Sequence, residues 1–134
     1  MKSKIWLLFL AVLMMPVAAS AQEERKKDEG GAYFVVDEMP EFPGGNETLR
    51  SFLLENVNYP EEAKKDSITG KVFVSFVVDE AGKVIQIKIE KGVDPLLDQE
   101  ALRVVGLMPT WKPGKENGEV VKVRFNLPVN FALD

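Results

Sequence analysis

The chain contains no cysteine and no histidine. Without cysteine there is no disulfide framework, no thiol nucleophile, no thiolate metal site and no lipid-bearing N-terminal Cys. Without histidine the commonest general base and the commonest transition-metal ligand are missing. The two absences weigh against an enzyme, and no catalytic residue, metal site or cofactor is expected. There is no Pro-rich low-complexity spacer and no internal repeat. There is no phosphate loop either, because Gly44-Gly45 and Gly114 do not stand between a strand and a helix ahead of a Lys-Ser/Thr pair. Basic charge is not in excess: 17 Lys and Arg face 21 Asp and Glu, a net charge of −4. That argues against a general nucleic-acid binder, whose affinity comes from clustered Lys and Arg.

What is present begins with a leader. Lys2 and Lys4 precede an apolar run of 13 residues, Ile5 to Val17, and Ala19-Ser20-Ala21 supplies small residues at an A-x-A cleavage pattern. The run is short for a bilayer span. Residues 1–21 therefore read as a secretory signal peptide, with an uncleaved N-terminal anchor as the alternative. Loss of Lys2 and Lys4 leaves 15 basic against 21 acidic residues, so the mature chain carries about −6. Residues 22–37 read as a charged linker ending in Gly30-Gly31, followed by a short β-prone patch, Ala32 to Val36. The remainder, residues 38–134, is long enough for one core and too short for two.

Within that domain, Met39-Pro40-Glu41-Phe42-Pro43-Gly44-Gly45 excludes regular structure. Asn46 is placed to cap a helix whose apolar face is Leu49, Phe52 and Leu53, ending near Asn56. Pro60 suits the first position of a second short helix running to about Asp66. From Gly70 the pattern turns to strand. Lys71 to Asp79 is apolar on both faces, as a central strand is. Asp79-Glu80-Ala81-Gly82 is a hairpin loop with Gly82 left-handed. The next strand, Val84 to Lys91, alternates Ile85, Ile87 and Ile89 inward with Gln86, Lys88 and Glu90 outward.

Asp94-Pro95 starts a helix whose stripe is Leu97, Ala101, Val104, Val105 and Met108, and Pro109 stops it. Asp94, Asp98 and Glu100 lie near that helix start, where capping and the helix dipole account for acids. Thr110 to Gly118 reads as a loop with Trp111 tucked against the core. A final strand is expected from about Val120 to Phe131, with Val121, Val123, Phe125, Leu127, Val129 and Phe131 facing the core. Pro128 lies inside it, and proline has no N–H for a ladder, so this is an edge strand. The expected fold is α+β: a three-stranded antiparallel sheet, ordered 2-1-3, with two main helices on one face.

From Glu38 to Leu133 the sequence resembles the TonB C-terminal domain family. The resemblance lies in the Met39–Gly45 motif and in Tyr59-Pro60-Glu61-Glu62-Ala63. It continues through Gly70-Lys71-Val72, Phe76-Val77-Val78 and Gly82, then Leu97-Asp98-Gln99-Glu100-Ala101. It closes with Pro109-Thr110-Trp111-Lys112-Pro113-Gly114 and Pro128-Val129-Asn130-Phe131. It implies an energy transducer whose C-terminal domain grips an extended segment of an outer-membrane transporter beside its last strand, a strand-addition mode. The implied setting is the periplasm, or the inner membrane facing it, with an inner-membrane proton-channel complex as a further partner if the N-terminus is retained. Residues 22–31 reach at most about 35 Å when extended. A cleaved chain is then a free periplasmic module, and a soluble adaptor or a homodimer stands as the alternative to a transducer.

The exposed edge read from the residues alone agrees, since unpaired strand edges are templates for another chain. The candidate partner-binding residues are Val120, Lys122, Val123, Arg124 and Asn126 on the edge, with Tyr59 and Pro60 near it by resemblance; the alternative for Val120–Asn126 is a protected or self-paired edge, a dimer included. Lys122 and Arg124 would meet an acidic partner segment or be ordinary edge charges. Tyr59 would line the groove or pack on the core. Phe73 and Val77, on the helix-free sheet face, would be covered by Tyr33–Val36 or by a second subunit, the first being preferred.

Overall fold

A glycine at Gly70 releases the chain into the strand that organises the molecule. In the computed structural model, which describes residues 27–133, strand β1 (Gly70–Val78) is central, paired antiparallel with β2 (Val84–Lys91) on one side and with β5 (Val123–Phe131) on the other. This is the expected α+β sheet in the expected order, hairpin partner, central strand, last strand. The signal-peptide expectation for residues 1–21 and the linker's first residues lie outside the described residues.

Helices α1 (Asn46–Asn56), α2 (Glu61–Lys65) and α3 (Pro95–Gly106) cover one face of the sheet. Leu49, Ala63, Leu97, Ala101 and Val105 pack there with Val72, Val74, Phe76, Val78, Leu127, Val129 and Phe131. Each such side chain removed from water contributes about 1.5–3 kcal/mol for the larger residues. Phe42, Phe52, Phe76, Trp111 and Phe125 form a connected aromatic group with ring centroids 5.3–5.6 Å apart. The Met39–Gly45 motif thus has a packing role, for it delivers Phe42 into this group. Trp111 is buried as expected, and among the described residues its indole Nε1 has no hydrogen-bond partner.

Helix starts differ in detail from the expectation. Gly45, at φ +90°, occupies the N-cap of α1, and Asn46 is already helical with no side-chain cap bond. Pro60 is the cap residue of α2 rather than its first helical residue. Asp94 caps α3 as expected, its carboxylate accepting from Leu96 N–H, with Pro95 just inside.

Two strand expectations are corrected. Gln86 has φ +51°, and the β1–β2 register shifts between Ser75 and Val77. The bulge puts Ile85 opposite Val77, on the helix-free face, while Val84, Ile87 and Ile89 pack on the core. The last strand does not run unbroken from Val120. Its first part is a separate strand, β4 (Glu119–Val121), which forms a hairpin with β3 (Gly114–Glu116) inside the stretch read as a loop. Glu38 bridges Lys115 of β3, and Glu41 bridges Lys112 just before it. Gly114 seats this ribbon: a Cβ there would lie 2.7 Å from Val123 Cγ2 and 3.1 Å from Glu38 O.

Candidate functional site

The outer edge of β5 is built by its pairing with β1. All nine residues of β5 are in register with β1, Val123 opposite Val78 through Phe131 opposite Gly70. In an antiparallel ladder the backbone groups of alternate residues face the partner, and those between face away. Tyr33 fixes which are which: its N–H donates to Lys122 O at 2.9 Å, and Arg124 N–H donates to Tyr33 O at 2.8 Å. Lys122 and Arg124 therefore turn these groups outward. By the same alternation Asn126, Pro128 and Asn130 also face outward, and Val123, Phe125, Leu127, Val129 and Phe131 face β1. Pro128 sits in the outward row, where its missing N–H costs the β1 ladder nothing. Beyond the Tyr33 bridge, the outward groups of Asn126, Pro128 and Asn130 have no backbone partner among the described residues.

The edge expected to be free over Val120–Asn126 is thus occupied at its N-terminal part. Tyr33 bridges Val123 in parallel sense, and the chain before it folds into a small hairpin. Lys27 bridges Tyr33, Asp28 N–H donates to Ala32 O at 2.8 Å, and Gly31, at φ +84°, makes the turn. Lys27 Nζ lies 4.7 Å from the centroid of the Tyr33 ring, a cation–π contact. Within residues 22–31, Lys27–Gly31 are thus a turn on the domain surface rather than a solvated linker.

Arg124 does not extend toward solvent. Its Nε donates to Asp28 Oδ2 at 2.8 Å, Nη1 to Ser75 Oγ at 2.9 Å and Nη2 to Gln86 Oε1 at 3.1 Å. The Asp28 and Arg124 side chains are 16% and 15% exposed, so the pair is largely shielded from water. Burial pushes the Asp28 carboxyl up. Its bonds to Arg124 and to Ala32 N–H outweigh this, and its pKa lies below the ordinary aspartate value of 3.8. Ser75 and Val77 are buried on this helix-free face, under the side where the N-terminal segment lies.

Lys122, Arg124 and Asn126 turn outward together on the edge, whereas Val123 is buried and faces β1, and Val120 belongs to β4 in the neighbouring ribbon, 40% exposed. Tyr59 packs edge-on against Phe131 at 5.6 Å, and its hydroxyl donates to Ile68 O. It is bound to the core at the C-terminal end of β5. Pro60 opens a shallow groove with Asn58, Leu96, Gln99, Glu100 and Arg103. Glu100 accepts from Asn58 N–H at 2.6 Å and pairs with Arg103 at 2.7 Å. Burial raises its pKa, but Arg103 and the Asn58 N–H outweigh it and hold the carboxyl below the usual glutamate value of 4.5. Asp98 accepts from Val93 N–H. With Asp94 capping α3, all three helix-start acids have structural partners. Among the described residues no group of three or more carboxylates is placed to hold a metal ion, and no helix is long and apolar enough to cross a membrane.

The sequence model of the gram-negative bacterial TonB protein C-terminal family matches residues 55–133. Two solution structures of the Helicobacter pylori TonB C-terminal domain are similar at 26% identity. One has a TM-score of 0.48 and covers 63% of this chain and 77% of that one; the other has a TM-score of 0.49 and covers 64% and 90%. No curated protein matches the chain.

Proposed function

The chain belongs to the gram-negative TonB protein C-terminal family, and we propose that it binds an extended segment of an outer-membrane transporter by strand addition along the outer edge of β5. The reading places it in the periplasm, supporting energy-dependent transport, with the incoming backbone meeting the outward groups of Arg124, Asn126, Pro128 and Asn130. One observation carries this reading. The edge already holds one extended residue, Tyr33, through both of its main-chain groups, and the outward row continues unpaired past it among the described residues. Main-chain pairing supplies the affinity in this mode, and alternate side-chain positions supply selectivity. The exposed Asn126 and Asn130 side chains flank the new strand on the helix-free face. The family's inner-membrane proton-channel complex is a second partner only for a chain that keeps its N-terminus in the membrane.

Titration of the 15N-labelled protein with peptides from the periplasm-facing extended segments of the cell's own outer-membrane transporters tests this. The expected result is saturable shifts at the Asn126 and Asn130 amides, abolished in Asn126→Pro. Peptides that bind while leaving these amides untouched, or that bind the proline variant equally well, sink the reading. The N-terminal residue of the chain isolated from cells, with its membrane or soluble fraction, separates a transducer from an adaptor.

A further inference from the structure

The part of the edge nearest Val123 is filled by the protein's own chain, yet by one residue only. Tyr33 makes two main-chain hydrogen bonds there, to Lys122 and Arg124. After Tyr33 the chain leaves the edge, and Phe34 and Val35 are 46% and 73% exposed. What fixes Tyr33 lies outside the ladder. Asp28 binds Arg124 Nε through Oδ2 and the Ala32 N–H through Oδ1. One carboxylate thus closes the hairpin and ties it to the edge strand. A foreign strand laid along the whole edge would use the same Lys122 carbonyl and Arg124 N–H, and would add the outward groups of Asn126, Pro128 and Asn130. Both occupants cannot hold the first two groups together.

We propose that Lys27–Tyr33 is a displaceable latch on the partner-binding edge, held by Asp28 on Arg124, and that an incoming strand seats first at Asn126–Asn130 and then replaces Tyr33. This deepens the strand-addition reading and rests on it. The ladder position of Tyr33 makes it the competitor. The Asp28 carboxylate sets how strongly it competes, and Arg124 remains anchored to Ser75 and Gln86 after release. A latch closed most of the time lowers apparent affinity by the fraction of open molecules.

The test compares the wild-type chain with Asp28→Asn, which keeps the side-chain shape and loses the charge, and Tyr33→Pro, which removes the N–H that binds Lys122. Hydrogen exchange comes first: the Arg124 amide should lose protection in both variants, while Val123 and Phe125, which face β1, keep theirs. The transporter peptides should then bind both variants about tenfold tighter than wild type. Saturated wild type should show Arg124 released from Tyr33. Equal affinity for all three proteins, or a peptide-saturated wild type with Tyr33 still on the edge, overturns the latch. If no transporter peptide binds any of the proteins, the strand-addition reading fails, and the latch is judged by a synthetic peptide of residues 27–36. Binding of that peptide to Tyr33→Pro but not to wild type supports the latch; binding to neither overturns it.

Discussion

Asp28 and Arg124, separated by 96 positions in the sequence, meet at 2.8 Å and join the N-terminal hairpin to the edge strand. The same arginine reaches Ser75 on β1 and Gln86 on β2, so one side chain ties all three strands of the sheet to the segment before the domain. Gln86 is available because the bulge gives it φ +51° and lifts it out of the regular ladder. Ser75 is fully buried, and its hydroxyl is satisfied by the guanidinium.

Arg124→Lys tests this arrangement. A guanidinium presents donors in a planar fork, whereas an ammonium is a compact point charge that cannot reach three partners on three sides at once. Lysine should keep at most one of the contacts and leave the buried Ser75 hydroxyl without its donor. A loss of about 1–3 kcal/mol is expected for the unmade bonds. Urea denaturation measures it, and Ser75→Ala in the Arg124→Lys background should recover part of the loss.

The pH response of the latch follows from Asp28. Its folded pKa lies below the ordinary 3.8. A carboxylate depressed in this way contributes its stabilisation above the unfolded value and loses it as pH falls through the folded one. The Arg124–Tyr33 contact should therefore be insensitive to pH from about 5 to 8 and weaken only below 3.8. The Glu29, Lys88 and Glu90 side chains share the cleft with Asp28 and Arg124, and Asp28→Asn separates their effect. Protection factors for the Arg124 amide, followed from neutral to acid pH in both proteins, give the comparison. A transition near neutrality would contradict it.

Proline placed at inward-facing and outward-facing positions of β5 should have opposite consequences. Val123 faces β1 with its N–H, so Val123→Pro removes a ladder bond opposite Val78 and leaves a buried carbonyl unpaired, at about 1–3 kcal/mol. Asn126 turns its N–H outward, as Pro128 does its ring nitrogen, so Asn126→Pro should change stability by only about 0.5 kcal/mol. Thermal denaturation of both variants beside peptide titration is the check. The expected pattern is an unstable Val123→Pro, and an Asn126→Pro that folds normally while losing the peptide.

Where hydrophobic period and backbone chemistry act locally, the sequence already carried the architecture. Leu97, Ala101, Val104 and Val105 repeat at the helical period and are all buried on α3. Pro128 marked β5 as an edge because a missing N–H has one acceptable direction. The features that were not legible depend on pairings distant in sequence or on strain without a signature. Alternation from Val84 to Ile89 placed Ile85 in the core, and nothing about Gln86 signals the positive φ that moves it to the other face. Gly30-Gly31 read as a linker end, because the turn they make is held by Asp28 binding Arg124, a partner far away in the sequence. Three-residue strands such as β3 and β4 are too short for a period to show. The candidate edge was therefore legible as a strand with an open side, while its occupant Tyr33 was not.

Gly82 offers the most local prediction. It sits at φ +83° in the β1–β2 turn, where its N–H donates to Asp79 O at 2.9 Å and its own carbonyl accepts from Trp111 N–H at 2.8 Å. A Cβ there would lie 1.9 Å from the Trp111 carbonyl oxygen and 2.9 Å from Thr110 Cγ2. Alanine therefore meets two separate obstacles, a left-handed backbone and a clash with main chain that cannot rotate aside. The left-handed conformation alone costs about 1–2 kcal/mol for a residue with a side chain. Relief of the clash must push Thr110-Trp111 off the hairpin, which disturbs the indole where it packs on Phe42, Phe76 and Phe125. Gly82→Ala should therefore destabilise the domain by about 3 kcal/mol or more, counting the lost aromatic contacts. Tryptophan fluorescence should report a more exposed Trp111 alongside the lower urea midpoint. A variant with unchanged midpoint and emission would show that the hairpin and the Trp111 segment move apart without cost.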